Sequence, residues 1–310
     1  MLASTVSVRA LSRSAPLAQI KRVTVIGGGA MGSGIAQVTA QAGQQVTIVD
    51  QKQELLDKSI QGIRGSLTRL VKKKFADDAK AAETFFEKTI SSIKTSTVAE
   101  DAVKDTDLVI EAIVENLEIK RKLFASLDKA APPNVIFASN TSSLSIAEIA
   151  SATKREERFG GLHFFNPVPV MKLLEVIRAS KTSDDTNMKI TEWGKNIGKT
   201  TIACKDTPGF VVNRLLVPNL VEAIRLLERG DASARDIDIA MKLGAGHPMG
   251  PLELLDFVGL DVTKFIIDGW HKKFPDNTLF KPSPLLNRLV SENKLGIKTG
   301  EGFYKYEKKK

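Results

Sequence analysis

Cysteine is almost missing: Cys204 is the only one among 310 residues. No intramolecular disulfide can form, which implies a reducing interior compartment. No base stands beside Cys204 in the sequence, so it reads as a bystander thiol and not a nucleophile. Histidine is scarce too, with only His163, His247 and His271. None has a metal-ligand spacing to another His or Cys, so no metal site is expected. His247 in "GHPMGP" and His271 beside Lys272 and Lys273 read as structural or solvent-facing. No apolar run approaches the roughly 20 residues that a membrane helix needs, so no membrane span is expected.

Acid is absent from the start of the chain, where the first carboxylate is Asp50. The segment "MLASTVSVRALSRSAPLAQ" carries two arginines, several serines and no clean apolar core. That composition argues against a secretory signal and reads as a mitochondrial transit peptide over residues 1–19, the other reading being a plain disordered tail. The net charge is +9, but seven positive charges lie in Arg9, Arg13, Lys21, Arg22 and Lys308–Lys310, leaving +2 for the body between. Aromatics make up 6% of the chain and no nucleic-acid module is present, so nucleic acid is not an expected partner.

What is present is enough for two domains with real cores, since 42% of the residues are hydrophobic. The runs "RVTVI", "QVTIV", "DLVIEAI", "NVIFAS", "FGGLHFF" and "KLLEVI" alternate with helical patterns through about residue 205. Strands alternating with helices predict an α/β fold with a mainly parallel, Rossmann-like sheet; the last two runs, joined by a short turn, add an antiparallel pair. An unusually long helical stretch, about 53–94, predicts a helical hairpin or arm projecting from the sheet. After "CKDTPGF" the pattern is helical only, a smaller all-helical domain. Thr207 as N-cap and Pro208 at the first helical position predict a helix from about Pro208 to Arg229. Asn213 shares its apolar stripe with Val217, Leu220 and Ile224, so its amide either cross-links helices or points at a ligand. The apolar surface of this half suits a subunit interface, and equally a helix-packed core.

The run "RVTVIGGGAMGSG" places Gly27, Gly29 and Gly32 of a G-x-G-x-x-G motif after a strand and at the start of a helix. The glycines allow a tight turn, backbone approach to a pyrophosphate and close helix–strand packing. The loop Gly27, Gly28, Gly29, Ala30, Met31 and Gly32 is therefore the candidate cofactor cradle. Asp50 ends the next strand, where a carboxylate accepts hydrogen bonds from ribose hydroxyls and repels a ribose phosphate, favouring NAD over NADP. Five polar clusters then fall at one edge of the sheet: Gly27–Gly32, Asp50, Glu115 with Asn116, Asn140–Ser143, and His163. Ligands bind at the carboxyl ends of strands in open α/β sheets. Ser145 and Glu148 have capping-box spacing, so some hydroxyls of "SNTSSLSIAEIA" start a helix, whereas Ser142 is free to face the cleft. Glu115 and Lys120 are either ligand contacts or a helix-end charge pair.

In "GLHFFNPVPVMKLLEVI" a turn centred on Pro169 sets His163 opposite Glu175, and cross-strand partners sit about 4.5–5.5 Å apart. A satisfied polar contact explains such a pair as well as a catalytic one.

The ordered set "GGGAMGSGIAQ", "EAIVEN", "SNTSSL", "HFFNPVPVMKLLEVI", "DTPGFVVNRLL", "GHPMGPLELLDFVGLD" and "KTGEGFYKY" closely resembles the short-chain L-3-hydroxyacyl-CoA dehydrogenases of mitochondria, from about Ile20 to the end. The resemblance implies an NAD-binding domain over 20–206 with a CoA-binding arm, and a helical dimerisation domain over 207–310. It implies a homodimer in the mitochondrial matrix that oxidises L-3-hydroxyacyl-CoA to 3-ketoacyl-CoA with NAD, the third step of β-oxidation. His163 becomes the catalytic base and Glu175 its partner. Histidine suits that task because its ordinary titration lies near neutral pH. Ser142, Asn166 and Asn213 match positions near the substrate oxygen and the nicotinamide. Glu115, Lys120 and Lys298 match cofactor contacts. Ser66 and Lys73, seven residues apart on one helix face, match the CoA-binding positions.

Two other readings compete. One is an NAD oxidoreductase for a small hydroxy acid, which has no use for a CoA clamp at Ser66 and Lys73. The other is a dinucleotide-binding protein without turnover, which has no use for His163, Glu175, Ser142 and Asn213 together.

Overall fold

The computed structural model describes residues 19–307, so the transit-peptide reading of the first residues lies outside the described part of the chain. Eight strands form one sheet: β1 (Arg22–Ile26), β2 (Gln45–Val49), β3 (Ile93–Ser96), β4 (Leu108–Glu111), β5 (Ile136–Ser139), β6 (Phe159–Phe164), β7 (Leu173–Arg178) and β8 (Thr200–Lys205). Their spatial order is β3-β2-β1-β4-β5-β6-β7-β8. The first six are parallel, the doubly wound arrangement whose order reverses beside β1. β7 then runs antiparallel to β6, and β8 lies parallel to β7. The expected strands are all present. β3 and β8 are additions at the two edges, where partly exposed strands break up the apolar runs that mark buried ones.

Helices cover both faces because the strands are buried on both. On one side α1 (Ala30–Gln41) and α2 (Gln53–Lys74), with α3 (Ala79–Ser91), pack over Val25, Ile48 and Ile110. α4 (Ala99–Ala102), α5 (Leu117–Ala130) and α6 (Ile146–Ala150) lie over the other, where Phe124, Phe137 and Phe159 stack with ring centroids 4.6–6.3 Å apart. α7 (Asp184–Asn196) returns to the first face through Ile190 and Trp193. The helical hairpin is α2 and α3, and it does not stand free. Leu56, Ile63 and Leu67 of α2 are fully buried in the same cluster as Ile35 of α1, and Lys72–Lys74 at its far end are exposed.

The helical part comprises α8 (Val212–Glu228), α9 (Ala234–Gly244), α10 (Pro251–Val258), α11 (Leu260–Lys273) and α12 (Pro284–Ser291) around its own core, which includes Leu220, Leu255, Ile267 and Trp270. The helix expected from Pro208 begins four residues later. Gly209 and Phe210 have φ of 76° and 54°, left-handed values that no α-helix can contain. Thr207 closes a turn through its carbonyl, which accepts the Phe210 N–H at 2.9 Å. No described helix is long and apolar enough to cross a membrane.

Candidate active site

β6 and β7 pair in the register expected from the turn, with His163 directly opposite Glu175. Glu175 is fully buried, and a carboxylate there must find donors or lose its charge. It finds three. His163 Nδ1 lies 2.6 Å from Oε2, and Oε1 accepts the backbone N–H groups of Val211 at 3.1 Å and Val212 at 2.9 Å. Those are the amides of the N-cap and of the first residue of α8, so this acid, and not Thr207, caps the helix. Burial pushes the Glu175 carboxyl up, but the His163 hydrogen bond, the two amides and the imidazole charge outweigh it and hold it below the ordinary range.

An ionised carboxylate only accepts, so Nδ1 is the donor to Oε2, which leaves Nε2 as the acceptor on the side of Ser142. Nε2 lies 3.0 Å from Ser142 Oγ. Asn213, in the first turn of α8, donates from Nδ2 to the Ser142 carbonyl at 3.5 Å. Its amide therefore joins the helical part to the sheet. Phe165 and Phe210 flank the imidazole, with centroids 4.5 and 5.5 Å away. The structure thus joins Glu175, His163, Ser142 and Asn213 in one chain of contacts.

Ser142 is positioned by Glu115. Glu115 Oε1 accepts Thr141 Oγ1 at 2.6 Å, Ser142 N at 3.0 Å and Ser143 N at 3.1 Å. Burial again pushes this carboxyl up and is overcome, here by the Lys120 charge together with Thr141 and Ser142, so it lies below its ordinary value. Lys120 is 1% exposed and bridges two acids, Glu111 at 2.5 Å and Glu115 at 3.2 Å. Glu111, which the sequence reading passed over, also accepts Ser139 Oγ at 2.6 Å. The signal was there: "VIEAI" buries an acid in an apolar strand just as "LLEVI" does.

The glycine loop fits a dinucleotide. Gly27 has φ 107°, and a Cβ at Gly32 would stand 1.7 Å from the Gly27 carbonyl oxygen, so the turn admits no side chain at either. The first turn of α1 holds no acid and no capping side chain, and Gly29 faces open space. Those amides remain free for a pyrophosphate. Asp50 lies beside them, its carboxylate accepting Gly28 N and Gln51 N, each at 2.7 Å. A cleft of about 340 Å³ runs between Gly28 and Gly29, Ser66 on the arm, and Asn166 in the β6–β7 turn.

Other candidates lie apart. Lys73 is exposed on the far part of α2, and Lys298, beyond α12, holds Asp261 through both carboxylate oxygens at 2.5 and 2.7 Å. Ser145 caps α6, accepting Glu148 N at 3.3 Å, but Glu148 pairs with Lys273 and Asp206 takes the remaining amides of Ile146 and Ala147. Cys204 is a bystander on β8: burial, then the charges of Glu175 and Asp206, push its thiol up to about 12. His247 and His271 lie in the helical part, away from the His163 pair.

Family models match in order along the chain: the 3-hydroxyacyl-CoA dehydrogenase NAD binding domain over residues 22–207, and the C-terminal domain over 209–306. The mitochondrial hydroxyacyl-coenzyme A dehydrogenase of Sus scrofa is 60% identical over 306 residues, covering 97% of this chain and 98% of the relative. That of Homo sapiens is 62% identical, covering 96% and 94%. Among solved structures, the (S)-3-hydroxybutyryl-CoA dehydrogenase of Ralstonia eutropha superposes with a TM-score of 0.89 at 43% identity, covering 94% of this chain and all of that one. With both domain models matched in order and relatives this close over nearly its whole length, the chain belongs to the 3-hydroxyacyl-CoA dehydrogenase family.

Proposed function

We infer that His163 is the general base in the reaction of this family, the NAD-dependent oxidation of a 3-hydroxyacyl-CoA to a 3-ketoacyl-CoA. The observation that carries this reading is the orientation of its ring: Nδ1 is 2.6 Å from a buried carboxylate and Nε2 is turned to Ser142 Oγ at 3.0 Å. Nε2 takes the proton from the 3-hydroxyl of the substrate, which raises electron density on that oxygen and lets the hydride leave carbon 3. Bound NAD supplies the acceptor for that hydride. Glu175 fixes the tautomer and stabilises the imidazolium that results, as the acid does in a catalytic triad. A positioned base of this kind contributes about 10²–10⁴ in rate.

Ser142 and Asn213 hold the substrate oxygen, one from the sheet and one from α8. Gly27–Gly32 and Asp50 bind the pyrophosphate and the adenosine ribose, with Asn166 and Lys298 as further cofactor contacts. Glu115 and Lys120 contribute by fixing the loop Thr141–Ser143. Ser66, in the cleft wall, and Lys73, farther along the same helix face, bind the CoA portion.

The biological unit in this reading is a homodimer formed by the helical part. Leu215 of α8, Leu243 of α9, Phe257 of α10 and Phe265 of α11 are 70%, 84%, 66% and 60% exposed, an unusual display for helices with their own core. The mitochondrial matrix is the proposed location, supported by the mitochondrial relatives and the acid-free, arginine-bearing N-terminal segment.

The test is NADH consumption with acetoacetyl-CoA beside free acetoacetate, on protein lacking the N-terminal segment. Rapid turnover of the CoA ester alone supports both the hydride chemistry and the CoA clamp. Equal turnover of free acetoacetate removes the clamp from the proposal, and no turnover of either despite NADH binding removes the catalytic assignment.

A further inference from the structure

Lys199 is buried where the reaction has no use for it. It is 9% exposed and stands between Gly198 and the first residue of β8. Among the described residues its ammonium has no carboxylate partner. Nζ instead donates to two carbonyl oxygens, of Val168 at 2.5 Å and Met171 at 2.8 Å, and lies 6.0 Å from the centroid of the Phe164 ring. Removing an ammonium from water is costly unless its protons find acceptors, and burial pulls this one below the ordinary lysine range.

The composition of the turn explains the arrangement. Residues 166–171 read Asn-Pro-Val-Pro-Val-Met, and two of the six have no N–H to give. The N–H groups of Val170 and Met171 both go to the Pro167 carbonyl at 3.0 Å. The carbonyls of Val168 and Met171 receive their donor from the Lys199 side chain, which reaches across from just before β8. Val168 itself is 1% exposed and presses against α1 at Gly34, where a Cβ would stand 2.7 Å from the Val168 Cβ. The turn is thus held on one side by an ammonium and seated on the other against the cofactor helix. Asn166 begins this turn, and Asn166, Pro167, Val168 and Pro169 line the cleft opposite Ser66 and Gly28.

We propose that Lys199 is a positioning residue for the cofactor: by holding the carbonyls of Val168 and Met171 it sets how closely Asn166 approaches the glycine loop. The proposal rests on the reading of Asn166 as a cofactor contact. It assigns to an otherwise unexplained buried cation a specific effect on NADH affinity that the His163–Glu175 pair does not share.

The experiment compares Lys199→Met, Gly34→Ala and Asn166→Ala in the full chain, all normalised to folded protein by circular dichroism. Lys199→Met removes the tether, and Gly34→Ala wedges the same turn from its other face. Each is expected to raise the KM and Kd for NADH about tenfold, the size of one misplaced hydrogen bond, while kcat at saturating NADH changes by less than about threefold. Weaker NADH binding in Asn166→Ala, together with that signature in Lys199→Met, or in Lys199→Gln, whose shorter side chain does not span to both carbonyls, where Lys199→Met folds poorly, supports the proposal. Wild-type NADH affinity in folded Lys199→Met, alongside an affected Asn166→Ala, overturns the role of Lys199 whatever Gly34→Ala shows. Wild-type affinity in Asn166→Ala overturns the reading of Asn166, and with it the route through which Lys199 acts. Activity that falls only in proportion to the fraction folded marks Lys199 as merely structural and also overturns the proposal.

Discussion

Glu175→Gln keeps the shape of the side chain and removes its charge, which makes it the sharpest probe of the site. In the wild-type chain two carboxylate oxygens serve three donors: His163 Nδ1 at 2.6 Å, Val211 N at 3.1 Å and Val212 N at 2.9 Å. A glutamine has one acceptor oxygen and one NH₂ group. If the oxygen stays with the two backbone amides, the NH₂ faces Nδ1 and forces the imidazole proton onto Nε2, the nitrogen that must be free. The same acid-to-amide change in a serine-protease triad costs about 10⁴ in turnover through the same tautomer error. A loss of about 10³–10⁴ in kcat is therefore expected here, equal to about 4–5 kcal/mol of transition-state stabilisation. If the oxygen turns to His163 instead, the tautomer survives and the N-terminus of α8 loses its anion, at up to about 2 kcal/mol of stability. Steady-state turnover of acetoacetyl-CoA with NADH, read beside the melting temperature and NADH affinity, separates the two. His163→Gln sets the ceiling, since losing the partner cannot cost more than losing the base. A kcat within tenfold of wild type, with unchanged melting temperature and NADH binding, would refute the assigned role of Glu175.

Lys73→Ala should raise the KM for acetoacetyl-CoA by about twofold to fivefold, as for one exposed charge contact, and leave a short thioester lacking the nucleotide unaffected; an equal effect on both removes Lys73 from the proposed CoA site. Lys120→Met leaves Glu111 and Glu115 with no cation between them, a change that costs about 3–5 kcal/mol when a buried pair is broken. Thermal unfolding measures it, and Glu111→Gln added to Lys120→Met should recover part of the loss. The pH dependence carries a sign as well. Glu115 titrates below its ordinary range, so its contribution is present above that range and lost as pH falls through the folded value. Lys120→Met removes much of what depresses it, so the melting temperature of the variant should fall less steeply on the acid side; an unchanged slope contradicts the account. Phe257→Glu should convert the proposed homodimer to a monomer in sedimentation velocity, and an unaltered sedimentation coefficient removes Phe257 from the proposed interface.

The sheet was legible because its six inner strands are written as short β-branched runs, and β6–β7 was legible to the residue because the prolines fix the centre of the turn. Glu175 stood out as an acid inside an apolar run. Glu111 carries the same signal but pairs with Lys120, nine residues on, across a strand-to-helix connection whose geometry no spacing rule conveys. The start of α8 was misplaced for a related reason. Thr207 and Pro208 satisfy a local rule for beginning a helix, yet the left-handed Gly209 and Phe210 and a carboxylate from another strand decide where it begins. Lys199 was invisible because its partners are backbone carbonyls, which every sequence has and none displays.

Glu175 serves two structures at once, and this bears on how it acts. Oε2 holds the imidazole while Oε1 closes the N-terminus of α8, the helix that carries Asn213 to the Ser142 carbonyl. The charge on Glu175 is thus favoured by donors that remain in place whether or not His163 is protonated, because the amides of Val211 and Val212 belong to the fold. In the proposed mechanism, where Nε2 takes the substrate proton, the positive ring faces a carboxylate already ionised and already fixed. A relay in which Glu175 accepts the Nδ1 proton would neutralise the acid in front of two N–H donors and the positive end of a helix dipole, which is unfavourable. In that mechanism Glu175 acts as a stationary charge, and the same contacts that keep it stationary dock the helical part onto the sheet, so the proposed catalytic pair and the junction between the two parts stand or fall together.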